Sequence, residues 1–335
     1  MERRHFLQQA MATTALGLCC GQNLNAWPIR PLAQDYKVLW KAEDPSRQIG
    51  YCPALLRTPN GRLVGNVLVS DKRPGVEHQW MVQVHTSDDR GNSWAHRADF
   101  PMVDSFPFTA GKYLYVIGGR NDLKISRSDD NGETWSPLVK ITEGKRWYSH
   151  PGSAAYANGR IYFVMDYRTD PTDHGFPVWA LAPVVLSARL TDDLTKPESW
   201  TFSNVLSFRD VQNRYGEPHL LGVPFYPYGN LARGRTMFEI GWGETNLVQI
   251  KDPNHLWHDP AGHTFHLFMR ANTGLSNLAC LAKAVESADG TQITVSLQEA
   301  PSGEPLLYIP FPGAYVSFHM AYDDVSQLHW MISSQ

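Results

Sequence analysis

The chain is poor in cysteine. Only Cys19, Cys20, Cys52 and Cys280 occur in 335 residues. The first two fall in a stretch read below as an export signal, which leaves one pair at most. A disulfide framework is therefore excluded, and neither Cys52 nor Cys280 has a neighbour at metal-ligand spacing. Charge of one sign is also lacking: 30 Lys and Arg stand against 33 Asp and Glu, a formal net charge of −3. Nucleic acid and anionic membrane surfaces are not expected as partners on that balance. No run beyond the N-terminus approaches the ~20 apolar residues of a membrane span. There is no Gly-rich phosphate loop, no Gly-x-Ser-x-Gly elbow and no His-Glu-x-x-His zinc helix. His255, His258, His263 and His266 cluster in sequence, but positions 263 and 266 face opposite sides of a strand, so a shared metal is not expected. No cofactor is called for, and no ligand spacing asks for a structural Ca²⁺.

Turn formers and aromatics are plentiful. The 26 Gly and 23 Pro predict many turns and few long helices, and 42% hydrophobic residues with 11 Trp can supply a sizeable core. Two stretches organise the rest. Ser87-Asp88-Asp89-Arg90-Gly91-Asn92-Ser93-Trp94 and Ser128-Asp129-Asp130-Asn131-Gly132-Glu133-Thr134-Trp135 both fit Ser-x-Asp-x-Gly-x-x-Trp, 41 residues apart. The carboxylate suits a turn by accepting from nearby backbone N–H groups, and Gly takes the φ > 0 position. The Trp anchors the next strand. A hairpin turn at this period suggests propeller blades, each of four strands.

The two stretches resemble the Asp-boxes of the sialidase-like, or BNR-repeat, β-propellers. The resemblance implies an all-β propeller of five or six blades, with Asp89 and Asp130 as structural turn residues away from the active site. In that family an Arg-Ile-Pro opens the first inner strand, and its Arg grips the sialate carboxylate. Here Pro53 aligns with that Pro and Tyr51 stands at the Arg position, so sialidase activity itself is not implied.

Residues 1–28 read as an export signal outside the fold. Arg3-Arg4-His5-Phe6-Leu7 is twin-arginine-like and an apolar run from Ala10 to Cys20 follows. The protein is thus expected in the periplasm or outside the cell, with Cys19 or Cys20 as candidate lipid anchors, and as a monomer. The propeller is expected over 36–335. Blade one has strands at Tyr51–Leu56, Leu63–Val69 and Trp80–Val84. Blade two has them at Ser105–Ala110, Tyr113–Ile117 and Leu123–Ser126. Blade three begins near Tyr148, turns at Asn158-Gly159, and ends in a degenerate Asp-box with Asp192 or Asp193 and Trp200. Residues 209–238 read as a long irregular connection. Blade four opens at Gly241-Trp242-Gly243-Glu244-Thr245-Asn246. A fifth inner strand runs from Tyr315 to Tyr322 and the sequence reaches only part of that blade. An incomplete ring is expected, with Tyr36–Lys41 as a closing outer strand.

Ligands of a propeller meet the mouth of the central channel, at the starts of inner strands and the loops between second and third strands. Blade two places Arg120 and Lys124 there, suited to a carboxylate on an acidic sugar. Blade three places Arg146, Trp147, Tyr148 and His150, then Asp166 and Tyr167. The long connection offers Glu217, and blade four offers Trp242, Glu244, Asn246 and Arg270. His319 comes from blade five. The expected function is glycoside hydrolysis of a poly- or oligosaccharide with acidic sugars. Glu244 is the leading carboxylate, Asp166 or Glu217 its partner, and Trp147 and Trp242 stack a sugar ring. Two alternatives stand. A uronate lyase would use His150 and Tyr148 or Tyr167 as base and acid. A non-catalytic glycan-binding propeller would need only the aromatics.

Overall fold

The period-two stretches fold as strands, and successive strands pair as antiparallel meanders. The computed structural model describes residues 35–148, 152–170, 178–215, 230–232, 235–236, 241–272, 277–315 and 317–333. Residues 1–28, where an export signal is expected, lie outside them. The first sheet is β1 (Gln48–Arg57), β2 (Leu63–Asp71), β3 (Trp80–Ser87) and β4 (Ala95–Phe100), paired in that order. The second is β5 (Phe106–Ala110), β6 (Tyr113–Gly118), β7 (Lys124–Ser128) and β8 (Val139–Lys140). The third is β9 (Ala155–Ala157), β10 (Arg160–Arg168), β11 (Leu181–Arg189) and β12 (Trp200–Phe202). β13 (Asn230–Ala232) and β14 (Arg235–Thr236) form a separate hairpin. The fourth sheet is β15 (Trp242–Val248), β16 (Thr264–Ala271), β17 (Leu278–Glu286) and β18 (Ile293–Glu299). β19 (Pro305–Leu306) adds to β18, and β20 (Tyr308–Pro310) adds to β17. β21 (Phe318–Asp323) and β22 (Leu328–Ser333) are the fifth.

Each sheet buries apolar side chains against the next. Val64 and Val82 of the first meet Leu114 and Val116 of the second. Phe108 and Ile125 then meet Phe163 and Leu186. Tyr162 and Val185 meet Phe265 and Leu267, and Phe268 and Leu281 meet Phe318 and Met320. One central cavity of about 300 Å³ is lined by Leu55, Phe106, Tyr156, Leu247 and His319, from β1, β5, β9, β15 and β21. Sheets in chain order around one cavity are the blades of a β-propeller. The expected all-β propeller is therefore present, with five blades among the described residues. The fifth contributes two strands there, as its sequence led one to expect.

Two expectations fail. Tyr36–Lys41 forms no strand. Leu39 and Trp40 instead lie over Gly65 and Gly50, in space that a Cβ at either glycine would need. The connection after blade three is not wholly irregular, because α1 (Phe208–Tyr215) occupies its start. Ser207 caps it: the Ser207 hydroxyl accepts from Asp210 N–H at 3.1 Å, and Asp210 accepts from Ser207 N–H at 3.0 Å. That reciprocal pair is a capping box, and it holds Phe208 against the core.

The two repeated turns share one geometry. Ser87 Oγ donates to Asp89 at 2.8 Å and accepts from Gly91 N–H at 2.8 Å, and Asp89 accepts Ser93 N–H at 2.9 Å. In the second turn Ser128, Asp130, Gly132 and Thr134 repeat these bonds, each at 2.8 Å. The residue before each Gly and the Gly itself are left-handed, at φ 62° and 85°, then 61° and 88°. Trp135 packs edge-on against Phe100 of the preceding blade, 6.2 Å between centroids. Trp200 of the degenerate third copy likewise meets Phe108, and Asp193 accepts from Thr195 N–H at 3.1 Å.

Donated hydrogen bonds hold the Asp130 carboxyl down to about 2, the Thr134 hydroxyl first among them. A depressed carboxyl stabilises above its unfolded value and loses that contribution as pH falls through its folded one. Asp130→Ala is accordingly expected to lower the thermal midpoint at pH 7 by roughly 2–4 °C. The deficit should shrink as pH falls from 4 toward 2. An equal deficit at pH 7 and pH 2.5, by calorimetry, would rule out the carboxylate as its source.

Candidate active site

Inner strands enter the channel through a repeated irregularity. In blade one the β1–β2 register slips between Tyr51 and Ala54, and in blade four the β15–β16 register slips between Gly243 and Asn246. Two residues on the inner strand oppose one on its partner, which is a β-bulge. The first bulged residue, Cys52 or Glu244, is left-handed at φ 43° or 54°. Blade two does the same at Asp104, φ 51°, two residues before β5. A left-handed non-glycine costs on the order of 1–3 kcal/mol and persists where surroundings impose it. Here it turns three side chains toward one mouth.

Those side chains share an electrostatic neighbourhood. The charges of Asp104 and Glu244 both act on the Cys52 thiol and on the Tyr148 phenol, as does Arg120. Burial first, then the charge of Asp104, pushes the Cys52 thiol up to about 12. It stays a neutral donor to Asp104. Burial also raises the Tyr148 phenol, and Arg120 opposes it. The Arg120 guanidinium lies 3.7 Å from Asp104 Oδ2 and 5.2 Å from the Tyr148 ring. Arg168 covers the same ring at 6.0 Å.

Glu244 is fixed on three sides. Arg270 Nη1 donates to its Oε1 at 2.9 Å, and the Ser317 hydroxyl donates to its Oε2. Arg270 is itself held by the Tyr315 carbonyl at 3.1 Å. Behind the bulge, Asp166 Oδ2 accepts Glu244 N–H at 3.0 Å and Oδ1 accepts Thr245 Oγ1 at 3.4 Å. Asp166 is fully enclosed, and burial pushes its carboxyl up to about 7, with the Glu244 charge adding to the rise. Close backbone approach is required nearby: a Cβ on Gly152 would sit 2.0 Å from the Thr245 carbonyl oxygen.

Of the residues expected at the mouth, Glu244, Arg270, Arg120 and Tyr148 come together there. Asp166 joins them from behind, as a support for the Glu244 backbone. His150 and Glu217 lie outside the described residues. His319 lines the channel deeper in, and Lys124 faces a cleft between blades one and two. Tyr167 is drawn aside by an edge-on contact with Trp147 at 5.3 Å, and the Arg146 carbonyl ties the same strand end by accepting Arg168 N–H at 2.9 Å. Three expectations are corrected. Trp242 is 0% exposed, gives its indole N–H to the Leu181 carbonyl at 2.9 Å and packs on Phe208. Trp147 is 3% exposed in the core between blades two and three. Neither can stack a sugar. Asn246 is also buried, and its amide bonds the Phe318 carbonyl and Met320 N–H at 3.0 and 2.9 Å, joining blade four to blade five.

Asp104, Cys52 and Ser317 were not foreseen. The signal for the first two was available. Cys52-Pro53 and Glu244-Thr245 stand at the bulge of an inner strand and Asp104-Ser105 directly before one, so aligning blades would have found them.

No protein-family model matches the chain, and no curated protein matches it in sequence. Among solved structures it is similar to a protein of unknown function from Dyadobacter fermentans, with 15% identity, TM-score 0.46, and coverage of 81% of this chain and 77% of that one. It is also similar to an alpha-L-arabinanase from Penicillium chrysogenum (11%, TM-score 0.45, 85% and 75% covered). An alpha-L-arabinofuranosidase from Lactobacillus brevis is a third (16%, TM-score 0.42, 80% of each covered). At this distance no residue role is carried over.

A carboxyl raised by burial destabilises the fold as pH climbs from its unfolded value through its folded one. For Asp166 that window runs from about 4 to about 7. Asp166→Asn keeps an acceptor for Glu244 N–H and removes the charge. It is expected to match the wild type in thermal midpoint at pH 4 and to exceed it by several degrees at pH 8. A variant less stable at pH 8 than at pH 4, relative to wild type, would show that the ionised carboxylate is accommodated.

Proposed function

We propose that the protein hydrolyses glycosidic bonds at the channel mouth, with Glu244 and Asp104 as the working carboxylates. The supporting observation is their placement: two enclosed acids on left-handed residues of blades four and two, turned into one mouth beside Arg270 and Arg120. Glycoside hydrolysis needs one carboxyl as acid and a second as base or nucleophile. Glu244, held by Arg270 and by the Ser317 hydroxyl, takes the base or nucleophile role. Asp104 is then the proton donor to the leaving oxygen. Arg120 and Arg168, both stacked on Tyr148, supply cations for an acidic sugar.

The paired Asp-box turns support a sialidase-like ancestry for this propeller. Tyr51, at the position of a carboxylate-gripping Arg, weighs against a sialate as substrate. A uronate lyase reading would take His150, outside the described residues, as base and Tyr148 or Tyr167 as acid. We read residues 1–28 as a twin-arginine export signal, so the enzyme would act in the periplasm or outside the cell. Retention of the full chain in the cytoplasmic fraction of an expressing cell would contradict that.

Purified protein should release reducing ends from one or more members of a panel of neutral and uronate polysaccharides. Glu244→Gln and Asp104→Asn should each lower kcat by about 10²–10⁴ in protein that still unfolds cooperatively. Ultraviolet-absorbing unsaturated ends would replace hydrolysis with elimination. Full activity in Glu244→Gln would sink the assignment.

A further inference from the structure

A second cleft opens beside the mouth, between blades one and two, with a volume of about 350 Å³. Its walls include Trp80 at the start of β3, His78 in the loop before it, Arg120 in the loop after β6, and Lys124 at the start of β7. Arg120 belongs to both places: its guanidinium reaches Asp104 at 3.7 Å and also lines the cleft. Trp80 makes a second connection, because it packs against Tyr51, the residue before Cys52, with 5.6 Å between centroids. The cleft therefore continues the mouth on one side.

Two acids, Glu77 and Asp122, and two cations, Arg120 and Lys124, line this cleft. Asp122 is satisfied from outside, by Lys140 Nζ at 3.3 Å and by Lys145 N–H at 3.0 Å. Glu77 reaches His78, at 3.7 Å, on the exposed edge. Lys124 makes no ion pair among the described residues. The cations facing the cleft are Lys124 and the outer part of Arg120, beside the partly exposed ring of Trp80. A planar guanidinium, an ammonium and an indole fit a sugar ring that carries a carboxylate.

We propose that this cleft is a second sugar subsite, taking a uronate residue of an extended glycan whose scissile bond lies over Glu244 and Asp104. Lys124 and Arg120 hold the carboxylate and Trp80 carries the ring. The proposal rests on the glycan reading of the mouth, and it makes the substrate an acidic polymer bound across two blades.

The test is titration calorimetry with hexameric oligogalacturonate, oligoalginate and oligoglucuronate, each beside its fully methyl-esterified form. The wild type should bind at least one acid form about tenfold more tightly than its ester, with the preference weakening in 0.5 M salt. Lys124→Gln should cut that preference by about three- to tenfold, and Trp80→Phe should weaken acid and ester forms together. No acid preference for any probe, or a preference unchanged in Lys124→Gln, overturns the subsite. A sulfated hexasaccharide bound more tightly than every uronate overturns the carboxylate assignment. Lys124-dependent binding without cleavage of that glycan supports the subsite and counts against hydrolysis. Cleavage with a preference indifferent to Lys124 does the reverse.

Discussion

The bulges in the inner strands of blades one and four govern the mouth. Two residues against one leave a backbone N–H without a ladder partner, and an enclosed N–H must find an acceptor. At Glu244 the acceptor is Asp166. A carboxylate in that position would have to be stripped of water, which explains why its carboxyl titrates near neutrality. Glu244 can be left-handed because Asp166 takes its N–H and Arg270 takes its charge. The strain, the buried acid and the ion pair are parts of one arrangement.

The two ends of each blade divide the work. β1 and β3 run in the same direction, because each is antiparallel to β2. The start of β1 and the turn after β3 therefore lie at opposite ends. Asp89 and Asp130 brace the end remote from the mouth. Glu133 strengthens that end by pairing with Arg62 at 2.5 Å and with Arg97 at 2.5 Å, so the turn of blade two is tied to blade one. The mouth end carries the left-handed acids instead. Loops there can change without loosening the braced end.

Much of the fold was legible because its signals are local. Period-two runs such as Trp80–Val84 gave strands, and Ser-x-Asp-x-Gly-x-x-Trp gave turns whose bonds all fall within a few residues. The site was harder to read because its logic crosses blades. Trp242 sits next to the mouth in sequence, yet alternation along β15 sends its indole into the core while Glu244, released by the bulge, turns to the channel. Asn246 looked like a ligand because it is polar beside a candidate acid. Its role is to replace peptide hydrogen bonds between β15 and β21, a long-range pairing that no spacing announces. α1 was hidden in a stretch rich in charged residues, although Ser207 and Asp210 carried its cap.

Charge at the mouth links the support to the chemistry. Asp104 and Glu244 share the mouth with Arg120, Arg168 and Arg270. Asp166 adds a negative charge next to Glu244 when it ionises. Below its titration the mouth lacks that charge. Above it, the mouth carries an extra negative charge in a low-dielectric setting, where such a charge is felt strongly. The same proton that relieves the buried support therefore also removes a negative charge beside Glu244, so stability and the charge of the mouth are coupled through one carboxyl.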